Sequence, residues 1–214
     1  MTHIRTILFD LDGTLINTNE LIQKSFKHTF EAFGYQFSDE TIRSFNGPPL
    51  METFRKIDPK QAEKMLKTYQ EHNHAYHDQY VTAFPNVKDT LIDLEKRNIR
   101  LGVVTTKMRK GALMGLRLTG IESFFDTIIT LDDVKHPKPH PEPVIKAMND
   151  LQAEAASTLM VGDNYHDIEA GKNAGVSTVG VSWSAKGKAF LLQYNPTYMI
   201  DDMKDLLEIV GVQE

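Results

Sequence analysis

The stretch Phe9-Asp10-Leu11-Asp12-Gly13-Thr14-Leu15 decides the fold. The apolar run Ile7-Leu8-Phe9 leading into it reads as a short buried strand. That strand ends abruptly in two carboxylates. Side chains alternate along a strand with period two, so Asp10 and Asp12 start out on the same side of the chain. Gly13 then lets the backbone turn tightly. Two acids are thereby held together at the carboxyl end of a strand, the edge at which open α/β sheets bind ligands. Carboxylates this close repel, and one would normally take up a proton. A divalent cation resolves the conflict, and hard oxygen donors suit Mg²⁺. The plainer alternative is a strand followed by an ordinary Asp-Gly turn.

The pattern changes after Leu15. From 18 to 33, Ile22, Phe26, Phe30 and Phe33 recur at helical spacing, with Gly34 as a stop. Ser38 can cap a short helix through Phe45. Asn46-Gly47-Pro48-Pro49 is a rigid break, and Asp58-Pro59 is the start of a long helix to about Tyr80. This block offers no strand candidate. From Phe84 onward helix and strand alternate, with strands expected over 99–105, 127–131, 159–161, 178–181 and 198–200. Helices are expected over 87–97, 110–118, from Pro143, over 167–174 and over 203–210. Such alternation implies an α/β fold, a doubly wound, mainly parallel Rossmann-like sheet with helices on both faces. The strand at 6–9 belongs to that sheet although it precedes the helical block. The expected organisation is a core of residues 1–16 and 83–214, with residues 17–82 inserted as an all-helical cap.

Composition narrows the function. The 214 residues carry a net charge of −5 and no basic tract, so nucleic acid and anionic membranes are poor partners. No apolar run approaches transmembrane length. Met1 to Arg5 shows no signal-peptide pattern, and with no cysteine there is neither a disulfide framework nor a thiolate metal site. A cytoplasmic setting is the expectation.

Three further stretches carry chemistry. Val103-Val104-Thr105-Thr106-Lys107 is an apolar strand ending in hydroxyls. Lys138-Pro139-His140-Pro141-Glu142-Pro143 holds a lysine at the head of a loop that alternate prolines fix at low entropic cost. Lys135 is a rival, but the proline spacing favours Lys138. Val161-Gly162-Asp163-Asn164-Tyr165-His166-Asp167 ends another apolar strand in a carboxylate, with a second acid four residues on that also suits a helix N-cap. Asp10, Thr105 and Asp163 each end a separate strand, and in a parallel sheet those ends share one edge. Lys107 and Arg109 are either solvated loop charges or contacts to a second anionic group of a substrate. Gly47 and its neighbours either connect two helices or form a substrate-selecting loop. Lys186-Gly187-Lys188 reads first as surface loop, though it could face the same edge. His72, His74 and His77 invite a zinc reading, but 74 and 77 share a helix face while 72 points elsewhere.

Asp-Leu-Asp-Gly-Thr-Leu resembles the first motif of the haloacid-dehalogenase (HAD) superfamily of phosphotransferases. The three later stretches resemble its second, third and fourth motifs, in order, across essentially the whole chain. The resemblance implies that Asp10 is a nucleophile forming an aspartyl-phosphate and Asp12 the general acid and base. It implies that Thr105 donates to the phosphoryl group and that Lys138 neutralises Asp10 and the phosphoryl oxygens. Mg²⁺ would be held by Asp10, the backbone carbonyl of Asp12 and Asp163, with Asp167 orienting a metal-bound water or Lys138. Weaker substrate contacts fall on Gly47, Thr106, Lys107 and Arg109, and Thr106 stands where many relatives carry Asn. Dehalogenases attack carbon and need no acid at the Asp12 position, and transport ATPases need membrane helices, so neither class is expected. Over its full length the chain is similar to phosphoglycolate-phosphatase-like enzymes and, among these, to bacterial pyrophosphatases. The expected activity is Mg²⁺-dependent hydrolysis of inorganic pyrophosphate. Phosphoglycolate or another small phosphomonoester is the alternative substrate. A phosphomutase and a non-catalytic phosphometabolite sensor are the remaining readings. The resemblance also implies an indirect link to serine dephosphorylation of the phosphocarrier HPr, which releases pyrophosphate.

Overall fold

The computed structural model describes residues 3–211. It opens with β1 (Thr6–Phe9) and, after a turn, β2 (Ile16–Asn17). Four helices follow: α1 (Asn19–Ala32), α2 (Asp39–Ser44), α3 (Leu50–Ile57) and α4 (Ala62–Tyr80). Then β3 (Thr82–Ala83) pairs antiparallel with β2, so a two-stranded ribbon joins the helical block to the remainder. The alternation continues through α5 (Val87–Lys96), β4 (Arg100–Val104), α6 (Arg109–Leu118), β5 (Thr127–Ile129) and α7 (Glu142–Asp150). It closes with β6 (Thr158–Gly162), α8 (Tyr165–Asn173), β7 (Ser177–Val181), α9 (Lys188–Leu192), β8 (Tyr198–Ile200) and α10 (Leu206–Val210).

Six strands form one parallel sheet in the order β5-β4-β1-β6-β7-β8. The first strand in sequence thus lies in the interior of the sheet, flanked by β4 and β6. Its register sets Phe9 opposite Val103 on one side and Val161 on the other. The residues after these strands therefore emerge beside one another. Period-two alternation separates the two faces of the sheet. Ile7, Phe9, Leu101, Val103 and Val161 join Leu91, Leu94, Leu116 and Leu206 in one apolar cluster. Leu8, Val104 and Met160 pack on the opposite face with Val144, Ala147 and Ala170. Helices therefore cover both faces, as expected from the sequence.

The helical block buries a third cluster around Phe26, Phe30, Phe54, Met65 and Tyr69. Phe26 stacks on Phe30 with ring centroids 5.6 Å apart and meets Tyr69 at 4.9 Å. A wholly buried aromatic side chain contributes about 1.5–3 kcal/mol, so several of them give the block a core of its own.

Some local expectations change. Pro48-Pro49 does not simply break the chain: α3 starts directly after Pro49, because proline's fixed φ suits a helix entrance. Asp58 does cap, its Oδ1 accepting from the N–H groups of Lys60 and Gln61, but it caps a turn and α4 begins at Ala62. The β2–β3 ribbon stands where the sequence offered no strand, since two-residue strands carry no periodicity to read. The helix expected over 203–210 is a 3-10 turn at Met203–Asp205 followed by α10. The short α9 had no periodic signal.

Candidate active site

Sheet hydrogen bonding extends one residue past the strands. The Asp10 N–H donates to the Val161 carbonyl at 2.8 Å, and the Thr105 N–H to the Ile129 carbonyl at 2.9 Å. Both side chains are thereby fixed at the same edge. Asp163 follows β6, and its carbonyl accepts from the Ser184 hydroxyl at 2.6 Å. Gly13 sits at φ +87°, and a β-carbon there would lie 2.4 Å from Asp163 Oδ2. Only glycine lets the loop after β1 approach the Asp163 carboxylate this closely.

Lys138 is 3% exposed and reaches in from the proline-rich loop. Its ammonium donates to Asp10 Oδ1 at 2.7 Å, Asp167 Oδ1 at 2.6 Å and the Val104 carbonyl at 2.7 Å. All three of its hydrogens are used. Burial alone would drive this amine down, but the two carboxylates outweigh it and hold Lys138 above the ordinary lysine range. Burial pushes Asp10 up to about 7 against the pull of Lys138. It also pushes Asp163 well above the usual carboxylate range, with the Asp10 charge adding to the effect. Oxygens of Asp10, Asp163 and Asp167 lie within 4.8 Å of one another. One lysine against three crowded carboxylates leaves a surplus of negative charge. A hard divalent cation fits that donor set.

Asp167 is not the cap of α8. Asn164 is, and Asp167 completes a capping box by accepting the Asn164 N–H at 3.0 Å on Oδ2. Its other oxygen is thereby aimed at Lys138.

Lys107 Nζ contacts Asp12, and the Lys107 N–H donates to Thr105 Oγ1 at 3.1 Å. The threonine hydroxyl's own hydrogen remains available for a ligand. The loop between α2 and α3 descends onto this edge. Thr106 Oγ1 donates to the Gly47 carbonyl at 3.0 Å. The Asn46 carbonyl accepts from Asn164 Nδ2 and Lys186 Nζ, each at 3.1 Å. Gly47 has φ +116°, and a β-carbon there would meet Asn164 Nδ2 at 2.5 Å and His166 Nδ1 at 2.9 Å. His166 is buried, which pushes its imidazole down to about 4 and keeps it neutral.

A cavity of about 550 Å³ lies between the helical block and the sheet edge, with Asp10, Asp12, Thr105, Lys138, Asp163 and Asp167 in its wall. Gly47, Thr106 and Lys107 line it too. Arg109 does not: it is drawn away by Asp133 Oδ2 at 2.5 Å and by the Ile128 carbonyl at 3.1 Å. Lys188 likewise pairs outward with Asp201, and Lys186 is the lysine of that loop which faces the site. Among the cavity residues that the sequence reading did not expect at the site are His74 on α4 and Lys110 on α6. They come together only when the helical block folds over α6, which no local pattern announces. The three histidines are not gathered. His72 bonds Ser25 Oγ at 3.1 Å, His77 is buried against Asp78, and His74 faces the cavity.

A parallel sheet carrying a buried Asp–Lys pair and clustered carboxylates at its edge, under a helical block, defines a class of hydrolase. The family model of haloacid dehalogenase-like hydrolases matches residues 7–181, and the chain belongs to that family. Pyrophosphatase PpaX from Oceanobacillus iheyensis is 58% identical to it over 97% of both chains. A second Pyrophosphatase PpaX, from Anoxybacillus flavithermus, is 53% identical over 98% of both. Among solved structures, a protein described as a haloacid dehalogenase-like hydrolase from Bacteroides fragilis matches with a TM-score of 0.89 at 31% identity. That match covers 95% of this chain and 100% of the other. No helix among the described residues is long and apolar enough to cross a membrane.

Proposed function

We propose that this chain hydrolyses inorganic pyrophosphate to two phosphates, in the cytoplasm, through a phosphoryl group carried on Asp10. The observation that carries the reading is full-length identity of 58% to a protein named as a pyrophosphatase. It is supported by a cavity with acids at its floor and Lys107, Lys110 and His74 elsewhere in its wall. A substrate with one phosphoryl group to transfer and a second anionic group to hold suits both.

Asp10 Oδ1 is occupied by Lys138, so the other carboxylate oxygen is the one available to attack phosphorus. As the new P–O bond forms, the bridging P–O bond breaks, and Asp12 delivers a proton to the departing phosphate. Asp12 then takes a proton from water, whose oxygen attacks the phosphoryl group and frees Asp10. Lys138 offsets charge on the phosphoryl oxygens, and the Thr105 hydroxyl donates to one of them. Asp10, Asp163 and the Asp12 carbonyl would hold Mg²⁺, which supplies charge neutralisation and orientation for phosphoryl transfer. Asp167 positions Lys138 for its task. Residues 17–82 act as a cap that excludes bulk water.

A second reading draws on the cavity's apolar side, where Ile22, Phe26, Leu50 and Leu66 offer contacts that pyrophosphate cannot use. It assigns a small phosphomonoester such as phosphoglycolate. The test is phosphate release from pyrophosphate, phosphoglycolate and sugar phosphates, with Mg²⁺ and with EDTA. Pyrophosphate should give the highest kcat/KM, and only with metal. A preference for phosphoglycolate would select the second reading, and full activity in EDTA would overturn the metal assignment.

A further inference from the structure

The proline-rich loop has an outer face as well as an inner one. Lys138 points inward and is buried, while His136 and His140, on either side of it in sequence, are exposed. Their imidazole centroids are 4.7 Å apart. Glu142, in the first turn of α7, completes the group. One donor atom from each of His136, His140 and Glu142 lies within 4.8 Å of the other two. We propose that His136, His140 and Glu142 form a binding site for a borderline divalent transition ion such as Zn²⁺, on the outer face of the loop that carries Lys138.

The donor set selects the ion. Two imidazoles and one carboxylate suit Zn²⁺, Ni²⁺ or Cu²⁺, whereas Mg²⁺ takes oxygen donors and keeps its waters. The carboxylate cluster inside the cavity and the histidine site outside it therefore divide two kinds of metal by chemistry alone. Tetrahedral zinc with bonds of about 2.0–2.1 Å needs donors roughly 3.4 Å apart, so donors within 4.8 Å of one another need to shift by no more than about 1.4 Å. The two exposed imidazoles make such a shift by small rotations, while Glu142 stays in place.

The loop is already organised for this. Pro137, Pro139 and Pro141 restrict the backbone between the donors, which lowers the entropy lost on binding. The Glu142 carboxylate is tied down by the N–H groups of Lys135 at 2.8 Å and His136 at 3.1 Å. His136 Nδ1 lies 2.8 Å from Glu142 Oε2, so these two donors already face one another, and an ion bound between them sends the imidazole proton to Nε2. The Glu142 N–H donates to His140 Nδ1 at 3.1 Å, a long bond that a metal outcompetes. An ion held here ties the loop from outside, and because the fold holds the three donors together it binds the folded form more tightly and raises thermal stability.

The test uses the full chain without a polyhistidine tag, with Mg²⁺ in excess so that the carboxylate cluster is filled. Zn²⁺ is titrated calorimetrically into the wild type and into the His136→Ala/His140→Ala variant, and each is melted with and without Zn²⁺. The wild type should bind one Zn²⁺ and melt higher with it. The variant should match the wild type in circular dichroism, lose at least about tenfold in Zn²⁺ affinity and show no Zn²⁺-dependent rise in melting temperature. Equal Zn²⁺ binding by the two proteins, or no binding by the wild type, would overturn the proposal.

Discussion

Lys107 Nζ lies 2.8 Å from one carboxylate oxygen of Asp12 and 3.1 Å from the other. The contact joins the ends of β1 and β4, and both side chains are largely buried. On the pyrophosphate reading, the departing phosphate would come to the same place. Lys107 can then pass from Asp12 to that phosphate, which frees Asp12 to move protons.

Replacing Lys107 by Met should therefore raise KM for pyrophosphate and lower kcat/KM. A charge-assisted hydrogen bond contributes about 1.5–3 kcal/mol, which corresponds to roughly 10–150-fold. The loss should be smaller on phenyl phosphate, whose departing group carries no second charge. Steady-state phosphate release on both substrates decides this. Equal losses would mean that Lys107 acts only through Asp12.

Metal-free stability should depend on pH through Asp10. Burial raises this carboxyl to about 7 in the folded protein, above the value of 3.8 for an unburied aspartate. The fold therefore favours the protonated form. Its contribution is complete below about pH 4 and is lost as the pH rises through about 7. A cation among the carboxylates reverses that loss. The gain in melting temperature on adding Mg²⁺ should be clearly larger near pH 8 than near pH 5, measured by thermal denaturation in each buffer. A gain independent of pH would show that Asp10 is not a ligand.

Gly47→Ala tests the loop that descends on the site. The added β-carbon would meet Asn164 Nδ2 at 2.5 Å, at a φ of +116° that alanine rarely adopts. The loop must move, and its contacts with Thr106, Asn164 and Lys186 go with it. Backbone strain of this type costs about 1–3 kcal/mol, and the half-buried loop relieves part of it by shifting. The variant should lose proportionally more kcat/KM than stability. Urea unfolding beside kinetics separates the two, and undiminished turnover would remove this loop from the site.

The strand ends were legible because they obey a local rule: an apolar run, then a polar residue with a chemical task. Asp10, Thr105 and Asp163 follow it, and the parallel sheet brings them to one edge. Lys138 was legible because prolines mark its loop. The sequence could not separate Lys107 from Arg109, since both are cations in the same loop. What divides them is Asp133, an acid remote in sequence that captures the arginine. The places of His74 and Lys110 in the cavity wall were invisible for a similar reason, because they face the cavity only through packing of α4 against α6. Asn164 took the cap that Asp167 was expected to fill, since the two sit three residues apart and either side chain can serve an N-terminus.

Asp10→Asn should separate catalysis from stability. The amide keeps an oxygen for Lys138 and occupies the same volume, but it is a far poorer nucleophile, and turnover should fall by at least about a thousandfold. Stability should move the other way. Burial is the main reason the native side chain holds its proton so tightly, with the Asp167 charge adding to it against the pull of Lys138. A neutral amide carries no charge to desolvate and none to repel Asp167. Without metal the variant should melt above the wild type near pH 8, and the two should converge near pH 5, where the native side chain is itself protonated. Mg²⁺ should then narrow the gap, because the wild type gains a charged ligand that the variant lacks. If metal-free Asp10→Asn melts below the wild type near pH 8, Lys138 outweighs the crowding and the carboxylate is held for stability rather than against it.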